Sequence, residues 1–275
     1  MRNIKKIGLV IIVSILTTMF SLTVFSASNE DFEATKTWLD KLGKKYTVDE
    51  LKDLKSLDLT EVDVNDYNIA NIKPLKNLEY LNLTRTKITS KGLVNIKELK
   101  NLRGLVLMGT FINDKGLEII ANFKHLQLLS LNKTKITDYG LVFIRVLKNL
   151  QKLDLYGTNI TDKGLIYLTN KQNLVELSLS GTKITDNGLI HLQQLCNLKK
   201  LFLNGTNIGD NGIFHLRVLR NLKSLSICST DVSIQGIRQL KPLLEGIEEI
   251  YYDDPVYVKK PNKDDLAIDV KLSDN

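Results

Sequence analysis

A leucine recurs every 24 residues along most of this chain. The column runs, without insertion or deletion, through Leu54, Leu78, Leu102, Leu126, Leu150, Leu174, Leu198 and Leu222. Two further apolar columns follow three and five residues later, and the repeated unit reads L-x-x-L-x-L-x-x-T-x-I-T-D-x-G-L-x-x-L-x-x-L-x-N. A short unit cannot bury its own apolar residues, so a strict period of this length indicates units stacked on one another.

Each unit contains the pattern of one strand followed by one helix. The L-x-L pair alternates like a strand with one buried face, whereas Leu141, Ile144 and Leu147 are three residues apart and suit a helix. Thr137 and Asp138 supply side-chain oxygens for the helix start, and we expect Asn149 to occupy a left-handed turn at its end. The sequence therefore predicts an α/β leucine-rich repeat solenoid, a horseshoe with a parallel sheet on its concave face and helices on its convex face.

Three other columns recur without leucine, and we interpret all three as structural. We expect the threonine hydroxyls to form a ladder between repeats, the glycines to let a helix approach the neighbouring coil, and the aspartates to cap successive helices. A catalytic residue is needed once and not seven times. The columns are Thr86, Thr110, Thr134, Thr158, Thr182, Thr206 and Thr230; Gly92, Gly116, Gly140, Gly164, Gly188, Gly212 and Gly236; and Asp138, Asp162, Asp186 and Asp210.

The block I-T-D-x-G-L-x-x-L, found at 136–144, 160–168 and 184–192, resembles leucine-rich repeats of the cysteine-containing subtype. That subtype is familiar from F-box adaptor proteins and from bacterial exported repeat proteins, and the resemblance covers about 54–246. Residues 72–78 are also similar to internalin-like bacterial surface proteins. Threonine stands where the subtype often has cysteine, and no F-box sequence lies before the repeats. Both resemblances imply recognition of a protein partner.

Residues 1–26 are predicted to be a signal peptide. Arg2, Lys5 and Lys6 precede an apolar stretch without charge, and residues 24–26 offer a cleavage site. The stretch also approaches the ~20 residues needed to span a bilayer, so an uncleaved membrane anchor is the alternative. Either reading delivers the rest of the chain to the periplasm, the cell surface or the exterior.

The remaining segments are assigned from where the repeat pattern begins and ends. Residues 27–53 are predicted to form an N-terminal helical cap with a capping box at Thr47 and Glu50. Eight 24-residue repeats follow at 54–246, and a closing strand with a polar tail is expected at 247–275.

Composition argues against several function classes. The formal net charge of +7 falls to +4 without Arg2, Lys5 and Lys6, and the remaining charge is too dispersed to predict nucleic-acid binding. Cys196 and Cys228 lie on different parts of different repeats and are expected to stay unpaired. No phosphate-binding loop, catalytic triad or metal-ligand set stands out, so we expect no enzymatic activity, no cofactor and no metal.

The strand positions between the leucines vary freely, and function is best sought there. We expect Val106, Met108 and Leu128 to lie together as the apolar centre of a concave binding surface with a charged rim. The alternative is that these residues only suit an extended strand. The full set of predicted partner-binding residues is Tyr80, Val106, Met108, Leu128, Lys152, Asp154, Tyr156, Glu176, Lys200 and Phe202.

Three functions fit these features. The leading one is an exported bacterial protein that binds a partner protein, with a host protein among the candidates, through the concave sheet face. The second is a membrane-anchored envelope scaffold that associates with itself or with envelope components. The third is a host-directed effector that resembles F-box adaptors but lacks an F-box.

Overall fold

The structure, a computed structural model, describes residues 27–253. The predicted leader at 1–26 and the tail beyond Asp253 lie outside the described residues. No helix within 27–253 is long and apolar enough to cross a membrane. The strands are β1 (Ser56–Asp58), β2 (Tyr80–Asn82), β3 (Gly104–Val106), β4 (Leu128–Ser130), β5 (Lys152–Asp154), β6 (Glu176–Ser178), β7 (Lys200–Phe202), β8 (Ser224–Ser226) and β9 (Glu249–Tyr251).

All nine strands form one parallel sheet in the order of the sequence. The register keeps the repeat, so that Leu57 lies beside Leu81 and Leu81 beside Leu105. The last step pairs Leu225 with Ile250, one residue longer than the others. The sheet and the helical layer behind it confirm the predicted α/β leucine-rich repeat solenoid.

The helical layer consists of short turns. The α-helices are α1 (Asn29–Lys41), α2 (Val48–Lys52), α3 (Asp114–Ile120), α4 (Asp138–Ile144), α5 (Asp162–Leu165), α6 (Asp186–Leu189), α7 (Asp210–Ile213) and α8 (Ile234–Leu240). The 3-10 helices are Asn68–Ile72, Gly92–Ile96, Ile166–Leu168, Ile190–Gln194, Phe214–Val218 and Lys241–Leu243. A 3-10 helix has three residues per turn and suits the spacing of Leu93 and Ile96, whereas Leu141 and Ile144, with the same spacing, lie in α4.

The core lies between the sheet and the helical layer. The strand leucines, such as Leu129 and Leu131, and the helix residues Leu141 and Ile144 have no exposed surface. Burying one such side chain is worth roughly 1.5–3 kcal/mol. Every repeat contributes the same apolar positions to one continuous core. A polar substitution at one of these positions would therefore also disturb the packing of the neighbouring repeats.

Helices α1 and α2 cover the first repeat. Phe32 and Leu39 of α1 and Leu51 of α2 join the same core. The predicted capping box of α2 is present, because the Thr47 hydroxyl accepts from the Glu50 amide at 3.2 Å and the Glu50 carboxylate accepts from the Thr47 amide at 2.6 Å.

The expected threonine ladder between repeats is wrong. Each of these hydroxyls donates to a carbonyl of its own repeat, as Thr134 does to Leu131 at 2.6 Å. Carboxylates make the connection between repeats instead: Asp114 accepts from the Thr137 amide at 2.8 Å and from its hydroxyl at 2.7 Å. The expectation that the aspartates cap their own helices is therefore wrong: threonines such as Thr137 are the N-caps, and each aspartate binds the N-cap residue of the next repeat.

The glycine column makes room for those carboxylates. A Cβ atom on Gly164 would lie 2.4 Å from Asp138 Oδ1, and one on Gly188 would lie 2.3 Å from Asp162 Oδ1. The prediction of a close approach at these glycines is confirmed.

The residue with a left-handed backbone conformation is not Asn149, the residue that the sequence indicated. Asn149 does not have a positive φ; its side-chain amide donates to the Lys124 carbonyl of the preceding repeat at 2.9 Å. The left-handed residue comes directly after each strand, where the chain turns from the sheet toward the helix. That column contains Glu61, Arg85, Gly109, Lys133, Gly157, Gly181, Gly205 and Ser229.

Candidate protein-binding surface

The candidate surface is the side of the sheet that faces away from the helices, here called the sheet face. Strand residues that flank the core leucines point to it because side chains alternate along a strand. The register forms two rows across neighbouring strands. One row contains Leu128, Lys152, Glu176 and Lys200, and the other contains Val106, Ser130, Asp154, Ser178 and Phe202.

The predicted apolar residues divide into two groups by exposure. Val106 and Leu128 are each 2% exposed and Phe202 is 8% exposed, although none belongs to the main core cluster. They are buried by their neighbours on the sheet face. Tyr80, Met108 and Tyr156 keep intermediate exposure. The residues with surface to offer a partner are therefore Tyr80, Met108 and Tyr156.

The charged residues form a partly buried pair beside this apolar patch. Lys152 Nζ lies 3.3 Å from Glu176 Oε2, and the Glu176 side chain is only 4% exposed. Lys200 lies beside Glu176 in the register and is exposed. On the sheet face, the buried Glu176 carboxylate thus lies between Lys152, with which it forms an ion pair, and the exposed Lys200.

Asp154 is the second buried carboxylate of the sheet face. It is 3% exposed; its Oδ1 accepts from the Tyr156 amide at 2.9 Å and its Oδ2 from the Ser130 hydroxyl at 3.1 Å. Burial raises the pKa of Asp154 above its ordinary value, and these hydrogen bonds only partly offset that effect. Asp154 therefore serves first to hold the chain segment that carries Tyr156.

Neighbouring groups set the environment of both tyrosines. Burial, with a smaller contribution from the Asp58 carboxylate, raises the pKa of Tyr80 to about 12. Lys133 Nζ lies 5.5 Å from the centroid of the Tyr156 ring, within the range of a cation–π contact. The Tyr80 phenol remains a neutral hydrogen-bond donor, and the Tyr156 ring carries a cation beside it.

Sequence reasoning missed two asparagines on this face. Asn132 Oδ1 and Asn204 Nδ2 are buried and have no hydrogen-bond partner among residues 27–253. A buried polar atom without a partner is costly, and Ser178 Oγ on the same face is a third such atom. Both asparagines occupy the variable position just after a strand, the same position as Met108 and Tyr156, which was the available signal.

The described residues give little support for a metal site or a disulfide bond. Residues 27–253 contain no cluster of three or more His, Cys, Asp or Glu side chains that could hold a metal ion. Cys196 is exposed and Cys228 is buried, and both are free, as predicted.

Comparisons with known proteins agree with this geometry. A leucine-rich repeat family model matches residues 75–97, 146–168, 170–192 and 194–216. No curated protein matches the chain by sequence.

Several solved structures share the fold. Internalin C2 from Listeria monocytogenes is 24% identical, with a TM-score of 0.62 over 80% of this chain and 92% of that one. A leucine-rich repeat protein from Leptospira interrogans is 24% identical, with a TM-score of 0.51 over 73% of this chain and 61% of that one. The plant peptide hormone receptor RGFR1, solved in complex with RGF2, is 20% identical, with a TM-score of 0.50 over 74% of this chain and 33% of that one. Repeats, register and these likenesses together establish the chain as a leucine-rich repeat protein.

Proposed function

We propose that this protein is exported and recognises a partner protein through its sheet face. The observation that carries the proposal is that three large side chains of the sheet face, Tyr80, Met108 and Tyr156, are half-exposed at positions where the repeat requires no particular residue. Large apolar side chains surrounded by charged groups are typical of the centre and rim of a protein interface.

Two amide atoms without a hydrogen-bond partner support a peptide or protein as the ligand, and its contact with them requires the side chains that cover them to move. Asn132 Oδ1 can accept and Asn204 Nδ2 can donate a hydrogen bond, and a polypeptide backbone offers both kinds of group. One structure of the same fold is a peptide hormone receptor in complex with RGF2, which supports this use of the fold without naming the partner here.

Export is proposed from the sequence of residues 1–26, with their basic start and apolar stretch. A partner would then be a protein of the cell envelope, of the exterior or of a host. The scaffold and effector alternatives have no observation on the sheet face that favours them over partner recognition.

The test compares three forms of the full chain as baits for envelope and host-cell extracts. The first is wild type, the second carries Tyr80→Ala, Met108→Ala and Tyr156→Ala, and a matched control removes three exposed aromatic rings elsewhere. That control is Tyr67→Ala, Phe111→Ala and Tyr139→Ala, at residues that are 90%, 54% and 84% exposed. Val106, Leu128 and Phe202 are left unchanged because they are buried and their truncation would lower stability.

We expect the wild type and the control to capture the same protein, and the sheet-face variant to bind it at least tenfold more weakly, since interface anchors often contribute about 2 kcal/mol each. Unchanged affinity in a folded sheet-face variant would contradict the proposal.

A further inference from the structure

The opposite side of the solenoid, here called the helix face, has an unusual charge distribution. It comprises residues 139–149, 163–173, 187–197 and 211–221 of four successive repeats, which follow the first helical residues Asp138, Asp162, Asp186 and Asp210. These segments contain no Asp or Glu. Their cations are Arg145, Lys148, Lys163, Lys171, Arg217 and Arg220. On the sheet face, in contrast, Lys152 is paired with Glu176.

An apolar stripe runs along the same four repeats. Val142, Ile166, Ile190 and Phe214 are 39%, 52%, 48% and 44% exposed, and each follows the buried leucine or isoleucine of its helix. They lie 24 residues apart on helical turns that contact one another in sequence. The fold does not require these residues to be apolar, since Glu118 occupies the same position in an earlier repeat. Contiguous exposed apolar surface of this kind marks an interaction site.

Cations lie directly beside this apolar surface. Val142 and Val146 line a groove of about 370 Å³ together with Arg145 and Lys148. The Arg217 guanidinium lies 4.5 Å from the centroid of the Phe214 ring. Among the described residues, neither Arg145, Lys148 nor Arg217 forms an ion pair.

A second groove repeats the arrangement at the end of the stripe. Val218 and Leu243 line about 500 Å³ with Arg217 and Arg220. Here Arg220 has one acidic neighbour, Glu245, at 3.7 Å. Each groove therefore combines aliphatic side chains with two cations.

Lys171 adds a buried cation next to the first groove. It is 1% exposed, and its Nζ donates to the carbonyls of Leu147 at 2.9 Å and Arg145 at 3.1 Å. Burial, followed by repulsion from Lys148 and Arg145, lowers its pKa to about 8. An anion held by Lys148 and Arg145 would reduce this repulsion.

We propose that the helix face binds the surface of an anionic phospholipid bilayer. Protein surfaces that bind in the lipid headgroup region combine aliphatic side chains with lysine and arginine. The apolar groups enter the boundary of the acyl chains, and the cations contact the phosphates. A second copy of this chain does not fit, because two such faces would place uncompensated cations against each other. This inference rests on the helix face alone and is independent of the partner proposed for the sheet face.

The chain provides its own position for a reporter. Cys196 is exposed on the helix face and Cys228 is buried, so an environment-sensitive fluorophore can be attached to Cys196 of the full chain. The labelled protein is mixed with vesicles of phosphatidylglycerol or of phosphatidylcholine. Every sample carries the same residues 1–26, so an effect of the leader is common to all of them.

We expect a blue shift of the emission with phosphatidylglycerol vesicles only, and its loss at high salt. Val142→Ser, Ile166→Ser, Ile190→Ser and Phe214→Ser together should reduce the apparent vesicle affinity at least tenfold. These side chains are 39–52% exposed, so the variant should stay folded.

A sheet-face reporter serves as the matched control. The fluorophore is moved to Met108→Cys in a Cys196→Ser background, and its emission should not shift. The proposal is overturned by any of three results: no shift with phosphatidylglycerol, an equal shift with phosphatidylcholine, or an unchanged shift in the four-serine variant. A concentration-dependent shift without vesicles would also overturn it, because a second copy would then cover the face.

Discussion

The Asp138 carboxylate holds Thr161 of the next repeat by two hydrogen bonds, one from its amide at 2.8 Å and one from its hydroxyl at 2.6 Å. Asp162 binds Thr185 in the same way at 2.8 Å and 2.7 Å. Each bond pair joins the starts of two successive helices. The apolar contacts of the leucine core are not directional. These hydrogen bonds are directional, and they therefore fix the position of each repeat relative to the next.

Removing one such carboxylate should weaken the joint between two repeats. We expect Asp138→Ala to lower the free energy of unfolding by about 2 kcal/mol, because a hydrogen bond to a charged group contributes about 1.5–3 kcal/mol. Urea unfolding followed by circular dichroism measures the change. Asp231→Ala, at an exposed position, is the control and should change stability by less than about 0.5 kcal/mol. Equal losses in both variants would show that Asp138 has no special role.

Gly164 should not tolerate alanine, although it lies inside a helix. Alanine normally stabilises a helix by roughly 0.5–1 kcal/mol relative to glycine. Here the added Cβ would lie 2.4 Å from Asp138 Oδ1, so we expect Gly164→Ala to destabilise the protein by about 2 kcal/mol. In an Asp138→Ala background the same substitution should cost much less, since its clash partner is absent. Additive losses in the double variant would contradict this account.

Lys171 occupies a position where most other repeats have leucine, and we expect leucine to stabilise the fold more than lysine there. We expect Lys171→Leu to raise the free energy of unfolding at pH 7 by about 2 kcal/mol, because it removes a charge from a buried position. Lys76→Leu, at an exposed position, is the control and should have little effect.

The pH dependence provides a second test at the same residue. The pKa of Lys171 is about 8 in the folded protein and 10.5 ordinarily. Between these values the unfolded chain binds more protons, so the stability of the wild type should rise with pH from about 8 to 10.5. The Lys171→Leu variant should lack this rise. A parallel pH profile for both proteins would show that Lys171 does not titrate in this window.

Asp154 should be replaceable by asparagine. Asn82, at the same position of an earlier repeat, accepts from the Thr84 amide at 3.0 Å, as Asp154 does from Tyr156 at 2.9 Å. We expect Asp154→Asn to keep the fold and to match or exceed wild-type stability at pH 7 by up to about 1 kcal/mol.

The sign of its pH dependence follows from burial. Because burial raises the pKa of Asp154, the folded protein binds more protons than the unfolded chain above pH 3.8, and stability falls as pH rises through that window. Asp154→Asn should lack this decline, and unfolding curves measured at intervals from pH 4 to pH 7 test this. The exposed Asp58→Asn is the control. A loss above about 1 kcal/mol in Asp154→Asn would show that its charge is required.

The repeated columns predicted the fold well because each is under the same physical requirement in every repeat. Leucines, the α2 capping box and the close approach at Gly164 all follow from local spacing. The threonine ladder was wrong because a hydroxyl can bond within its own repeat, and sequence spacing does not distinguish that from a bond to the next. The left-handed residue was missed because its column mixes glycine with residues such as Lys133.

The candidate site was less predictable than the fold. The register that places Leu128 beside Lys152 follows from the period, but burial does not. Val106 and Phe202 looked like protruding anchors in the sequence, and the sheet face nearly covers both. The helix-face stripe was visible as a column, yet apolar residues on a helix are first assigned to the core until their exposure is known.

The most direct test of the central claim is photocrosslinking from defined positions of the full chain. A photoreactive phenylalanine analogue is placed at Tyr80, at Met108 or at Tyr156 on the sheet face, and at Tyr67 or Tyr139 as controls. The account predicts that the three sheet-face positions crosslink one shared protein partner and that the two controls do not. Crosslinks to that partner from Tyr67 and Tyr139 alone would place recognition elsewhere and contradict it.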